Sequence, residues 1–284
     1  MFIKRKLAHL HDCTRLALLR RDRASRISLL PVFHVEKLYD DAHHHALCSF
    51  LRGYRELTGK RAVITCMTPL SPILAQQMQD AGFSAHRYWD RIAEAAENGI
   101  VGLHGHFLRT SLDQGLRPMH YAFHDLDLIR DQIGCELEAL RAYGLLEEDR
   151  LIYSGGWWFI TLGLRNVLAE FGFHWDYSLS SSPFNISAGS AEVDSQAEPE
   201  TASDGHRIRS AIAVSGLARA GRPFQAIGKI LAEAPTVTAS ETRLSLYSHD
   251  YDLHLAPALQ MTEHFCQAGF AFHEPEAQCV QAAI

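Results

Sequence analysis

The chain has 284 residues, 47% apolar and 21% charged, with a formal net charge of −6 when histidine is neutral. That composition excludes a largely disordered chain and leaves room for one large core or two smaller ones. The negative balance argues against a general nucleic-acid binder, which needs a basic face for phosphates.

The six cysteines, Cys13, Cys48, Cys66, Cys135, Cys266 and Cys279, are scattered without zinc-type spacing and read as reduced core residues. Met1 to Arg26 mixes basic residues with leucines and lacks the uninterrupted apolar run of a secretory signal. No stretch of about 18 apolar residues could cross a bilayer. Cytoplasmic residence is the expectation. Residues 1–26 read as a basic helical segment packed on the domain, with peripheral contact to a membrane surface as the alternative.

In chain order, Ile27 to Glu36 reads as a strand that ends with His34 and Glu36 on one face. Asp40 or Asp41 caps a helix running to about Leu57, with Gly59 as its stop. The His43-His44-His45 run falls in its first turn, as exposed polar surface. Arg61 to Met67 is the next strand, Pro72 opens a helix that Gly82 closes, and another helix spans Ala85 to Asn98. Gly99 then delivers the chain into Val101 to Phe107. There His104 and His106 share a face, because strand side chains alternate with period two, and two neutral imidazoles so placed make a metal site. Gly105 between them lets something approach the backbone.

Arg109 to His124 reads as a loop over that site, and Asp127 caps a helix ending near Gly144. Leu151 to Trp158 is a strand breaking into a glycine turn at Gly155 and Gly156. The adjacent Trp157 and Trp158 suit a sugar-stacking wall or the core. A helix through Phe171 leads to a short strand, His174 to Tyr177. Residues 178–207, rich in Ser, Ala, Gly and acidic residues, are an excursion or flap. Ile208 to Val214 and Thr242 to Ser248 are further strands, with a helix around Phe224 to Ala234 between them and a final helix from Pro257. Alternating strands and helices imply parallel pairing. The expected architecture is a single-domain α/β fold, an irregular (β/α)7 barrel over residues 27–284, with a doubly wound open sheet as the alternative.

From Ser28 to about Gly269 this succession resembles the polysaccharide deacetylase family. The phrases that carry the likeness are Ala81-Gly82-Phe83 through Gly102-Leu103-His104-Gly105-His106, Tyr153-Ser154-Gly155-Gly156-Trp157, Gly172 to Ser178, and Leu246 to Leu253. The resemblance implies a barrel that removes acyl groups from N-acylated sugars with one divalent metal. It makes Glu36, His104 and His106 the metal ligands, His249 the general acid and Asp176 a carboxylate that positions this machinery. The family's opening acidic pair is here His34-Val35-Glu36, so His34 is the candidate base, or a third imidazole ligand. The family's second metal histidine lies four residues after the first, where this chain has Leu108, and its Arg-Pro-Gly is here Ser154-Gly155-Gly156.

Amide hydrolysis needs an activated water, a base and an acid. Two imidazoles and a carboxylate suit Zn²⁺, with Co²⁺, Ni²⁺ or Mn²⁺ as alternatives. Gly155, Gly156, Trp157, Trp158 and Tyr251 complete the expected site as substrate contacts. The expectation is a cytoplasmic deacetylase acting on an N-acyl sugar or glycan, such as an intermediate of surface polysaccharide biosynthesis. The alternatives are a hydrolase of small non-sugar amides and a non-catalytic sugar-binding or scaffold protein.

Overall fold

The computed structural model describes residues 27–109, 120–121, 125–156, 160–178, 208–210, 212–214 and 242–277. The basic segment 1–26, Trp157 and Trp158, most of the 178–207 excursion and the helix expected at 224–234 lie outside the described residues.

The sheet is parallel throughout. Its strands are β1 (Ile27–Val35), β2 (Ala62–Cys66), β3 (Gly99–Gly105), β6 (Ile152–Gly155), β7 (Trp175–Asp176), β8 (Arg209–Ser210), β9 (Ile212–Val214), β10 (Thr242–His249) and β11 (Ala271–Phe272). Hydrogen-bonded neighbours run β8-β7-β6-β3-β2-β1-β10-β9, with β11 beside the start of β1. The two ends of that order are neighbours in the chain, separated by residue 211 alone. One segment therefore pairs with β7 on one side and β10 on the other, and the sheet curls into an irregular (β/α) barrel. A separate antiparallel pair, β4 (Leu108–Arg109) and β5 (His120–Tyr121), follows the third strand.

Period-two alternation sorts the strand residues into two cores. Leu30, Val32, Val63, Ile100, Ile152, Trp175 and Tyr177 pack together inside the barrel. Leu29, Phe33, Val35, Ile64, Cys66, Val101, Leu103 and Tyr153 face outward into the larger core with the helices. Those helices are α1 (Asp41–Thr58), α2 (Pro72–Asp80), α3 (Ala85–Ala96), α4 (Leu126–Ala142), α5 (Leu162–Glu170) and α6 (Leu255–Ala268).

Asp40 caps α1 by accepting from the amides of Ala42 and His43, and Gly59 ends it at φ 69°. Two helix starts differ from expectation. Asp125, not Asp127, caps α4 through the Leu128 amide, leaving Asp127 in the first turn to pair with Arg130. The last helix starts at Leu255, so Pro257 sits within its first turn, where a missing N–H costs nothing. Cys66 is buried as expected, Cys48 and Cys266 are half-buried, and Cys135 is exposed, so it is not a core residue. Cys13 and Cys279 lie outside the described residues.

Glu136 on α4 is buried against the sheet's outer face, and burial, opposed by a hydrogen bond from Thr68, pushes its pKa up to about 8. A carboxyl raised in the folded state favours folding at low pH, and that contribution is lost as pH climbs from the unfolded value of about 4.5 toward 8. Glu136→Gln is accordingly expected to stabilise the protein by about 3 kcal/mol more at pH 8 than at pH 5. Denaturant unfolding of both proteins at the two pH values checks this, and an equal effect at both would contradict it.

Candidate metal centre

β1 and β3 leave the same end of the barrel, with their inward positions carrying His34 and Glu36 on one and His104 and His106 on the other. His249 closes β10 in register with His34. The resulting cluster is tight. Glu36 Oε1 lies 3.2 Å from His104 Nε2 and 3.4 Å from His106 Nε2, and the two Nε2 atoms are 3.1 Å apart. One ligand atom from each residue falls within 4.8 Å of the others.

The protonation of His104 follows from its surroundings. Thr65 Oγ1 donates to the carbonyl of Phe33 at 3.1 Å, which spends its only proton. Ser154 Oγ, 2.7 Å from Thr65 Oγ1, must then donate to it and is left to accept from His104 Nδ1 at 2.9 Å. The Ser154 carbonyl, 3.1 Å from the same nitrogen, can only accept. His104 therefore carries its proton on Nδ1 and presents a bare lone pair at Nε2. Burial pulls its pKa down to about 4 against the opposing pull of Glu36, so the ring is neutral at ordinary pH.

A lone pair facing a carboxylate oxygen at 3.2 Å is an unfavourable contact that a proton or a metal cation between the two would relieve. Neutral nitrogen and carboxylate oxygen together form a donor set that fits a divalent ion. The tautomer fixed through the far nitrogen is the usual support for such a ligand. His106 is held differently: a Cβ at Gly156 would collide with its imidazole, so the missing side chain there is what lets the ring reach Glu36.

The other expected residues fall into two groups. His34 lies beneath the cluster, stacked on His104 with ring centroids 4.4 Å apart and edge-on to His249 at 5.4 Å. Burial, then the neighbouring His104 and His249, hold its pKa well below the ordinary value, so it is neutral. The converging ligand set does not include it. His249 Nε2 is 4.0 Å from Glu36 Oε1, its Nδ1 is 3.3 Å from Asp252 Oδ2, and its ring stacks on Tyr251 at 4.7 Å.

Asp176 is not brought to the cluster. Its neighbours Trp175 and Tyr177 both pack into the inner core, so alternation turns Asp176 outward, where it accepts from the Ser178 amide at 2.8 Å and faces Arg165 of α5 at 3.9 Å. The carboxylate beside His249 is that of Asp252 instead. Gly155 donates its amide to Ser178 Oγ at 2.7 Å, and what approaches Gly105 is Tyr153 and Phe107 from the helix side.

Three contributors were not singled out in the sequence as site residues: Thr65, Ser154 as a tautomer anchor, and Asp250. Asp250 is fully buried and accepts from the amides of Glu36 at 3.2 Å, Lys37 at 2.7 Å and Tyr251 at 3.1 Å. It thereby ties the residue that would bind metal to the end of β10. Its adjacency to His249 was the available signal, but its partners Glu36 and Lys37 lie more than 200 positions away.

No protein-family model and no curated protein sequence matches the chain. Among solved structures it is similar to one described as a "putative polysaccharide deacetylase" from Mycobacterium smegmatis, with TM-score 0.54 and 17% identity over 86% of this chain and 84% of that one. At that identity the likeness shows the fold, which both chains share over most of their length.

Gly156→Ala is expected to push the His106 ring away and weaken zinc binding by at least about tenfold, whereas Ser154→Ala leaves the backbone carbonyl of that residue as the one acceptor for the His104 Nδ1 proton and costs about tenfold. Calorimetric titration with Zn²⁺ checks both, and wild-type affinity in both variants would contradict the ligand assignment.

Proposed function

We propose that this protein is a metal-dependent hydrolase of the deacetylase type that removes an acyl group, acetyl in the simplest case, from an N-acylated sugar. The observation that carries the reading is the convergence of Glu36, His104 and His106, with the His104 lone pair turned onto the carboxylate. Zn²⁺, Co²⁺, Ni²⁺ or Mn²⁺ would be held by these three residues. A bound ion of this kind polarises a carbonyl and lowers the pKa of a water molecule.

The chain's own residues supply the remaining chemistry. His34, neutral and adjacent to His104, is the candidate to accept the water proton. His249, with Asp252 beside its Nδ1, is the candidate to hand a proton to the departing nitrogen. Trp157 and Trp158 follow Gly156 directly and are candidate stacking surfaces for a sugar ring, with Tyr251 on the His249 side. Asp176, turned to the outer face, acts at most through the packing of β7. Among the described residues no helix is long and apolar enough to cross a membrane.

The test is acyl-acid release from N-acetylated sugars by the zinc-loaded full chain. A chelator is expected to abolish activity and added Zn²⁺ or Co²⁺ to restore it. His104→Ala should lose metal and activity together. His249→Ala should keep its metal while kcat falls about 10²- to 10⁴-fold. Stoichiometric metal with sugar binding but no release of acyl acid would favour a non-catalytic sugar-binding protein, the reading that the missing acidic partner of Glu36 supports.

A further inference from the structure

The rim of the cluster carries a cation that the proposed chemistry leaves unused. Lys37 follows Glu36 directly, and its ammonium lies 4.4 Å from the centre of the Tyr251 ring. That ring stacks on His249 at 4.7 Å and 19°, and His249 Nε2 is in turn 4.0 Å from Glu36 Oε1. Lys37, Tyr251 and His249 thus form a short stack that leads outward from the candidate metal ligands. All three are partly exposed, while His34 and Asp250 beneath them are buried.

The stack is built rather than incidental. The fully buried carboxylate of Asp250 holds the Lys37 amide at 2.7 Å and the Tyr251 amide at 3.1 Å, so the backbone at both partners of the cation–aromatic contact is fixed by one group. The contact over the ring holds the ammonium at a defined point while leaving its donors toward solvent. Most arginines of the described helices meet a carboxylate, as Arg91 does Asp41, Arg130 does Glu170 and Arg141 does Glu148. Among the described residues no carboxylate comes within 4 Å of the Lys37 ammonium. Asp252, beside Tyr251 in the chain, faces His249 instead.

A positioned cation without an acidic partner, set beside a cluster whose one carboxylate would be neutralised by a bound dication, gives this side of the cleft a preference for negative charge. Resting on the reading of the cleft as a sugar site, we propose that Lys37 on Tyr251 is an oxyanion subsite, and that the natural substrate is an acylated sugar bearing a carboxylate or phosphate group. Lys37 is then the residue that separates charged from neutral sugars.

Binding rather than turnover tests this, so that the subsite and the hydrolase reading fail separately. The zinc-loaded full chain is titrated at low salt with N-acetylglucosamine, its 1-phosphate, its 6-phosphate and N-acetylglucosaminuronic acid. At least one anionic sugar is expected to bind about tenfold more tightly than the neutral one, the increment of one charge-assisted contact. Which anion gains distinguishes a phosphate from a carboxylate source. The preference should fall below about twofold in Lys37→Met, survive in Lys37→Arg and in the distant control Lys60→Met, and shrink as salt rises. Equal affinity for all four sugars, no binding of any, or a preference that persists in Lys37→Met would overturn the subsite. A Lys37-dependent preference without acyl release would uphold the subsite and count against the hydrolase; acyl release without the preference would do the reverse.

Discussion

A bare imidazole nitrogen set against an ionised carboxylate is the constraint on which the rest of this site depends. The proton on His104 is fixed from behind by Ser154 and Thr65, which pass their hydroxyl protons in one direction to the Phe33 carbonyl. Each hydroxyl is fully buried, so neither can turn to water to escape the arrangement. The lone pair that results at Nε2 meets Glu36 and the second imidazole, and a divalent cation held by the three would relieve the opposition. Three strands, β1, β2 and β6, therefore contribute to one nitrogen of a fourth, β3.

The barrel supplies this geometry because parallel strands in register send alternate side chains inward at the same height. His104 pairs with Ser154 across β3 and β6, and His34 with both Thr65 and His249 across β1, β2 and β10. Below that level the inward positions are Val32, Val63, Ile100, Ile152 and Trp175, a buried apolar floor under the cluster. Above it, Asp250 fastens the exit of β1 to the exit of β10 through the amides of Glu36 and Lys37. The polar end and the apolar floor are two consequences of one register.

Period-two alternation made the pairs His34 with Glu36 and His104 with His106 legible in the sequence, and most of the helices were legible from local end signals such as the cap at Asp40, Pro72 in the first turn of its helix and the stop at Gly59. The same rule, applied to His174 to Tyr177, would have turned Asp176 away from the cluster; family likeness suggested a role there that alternation does not support. The contacts of Thr65, Ser154 and Asp250 were hidden because each depends on a strand far off in the chain, with no local pattern. The pairing of residues 209–214 with both edges of the sheet was hidden for the same reason. Gly156 is an intermediate case: a glycine turn was visible, but not that its missing side chain makes room for His106.

The most direct measurement is anomalous diffraction at the zinc edge from crystals of the metal-loaded protein. A single strong peak about 2.0–2.2 Å from Glu36 Oε1 and from the Nε2 atoms of His104 and His106 is the predicted result. No peak in the cluster, or a peak coordinated through His104 Nδ1, would contradict the account, because the tautomer set by Ser154 and Thr65 would then not be what prepares the site.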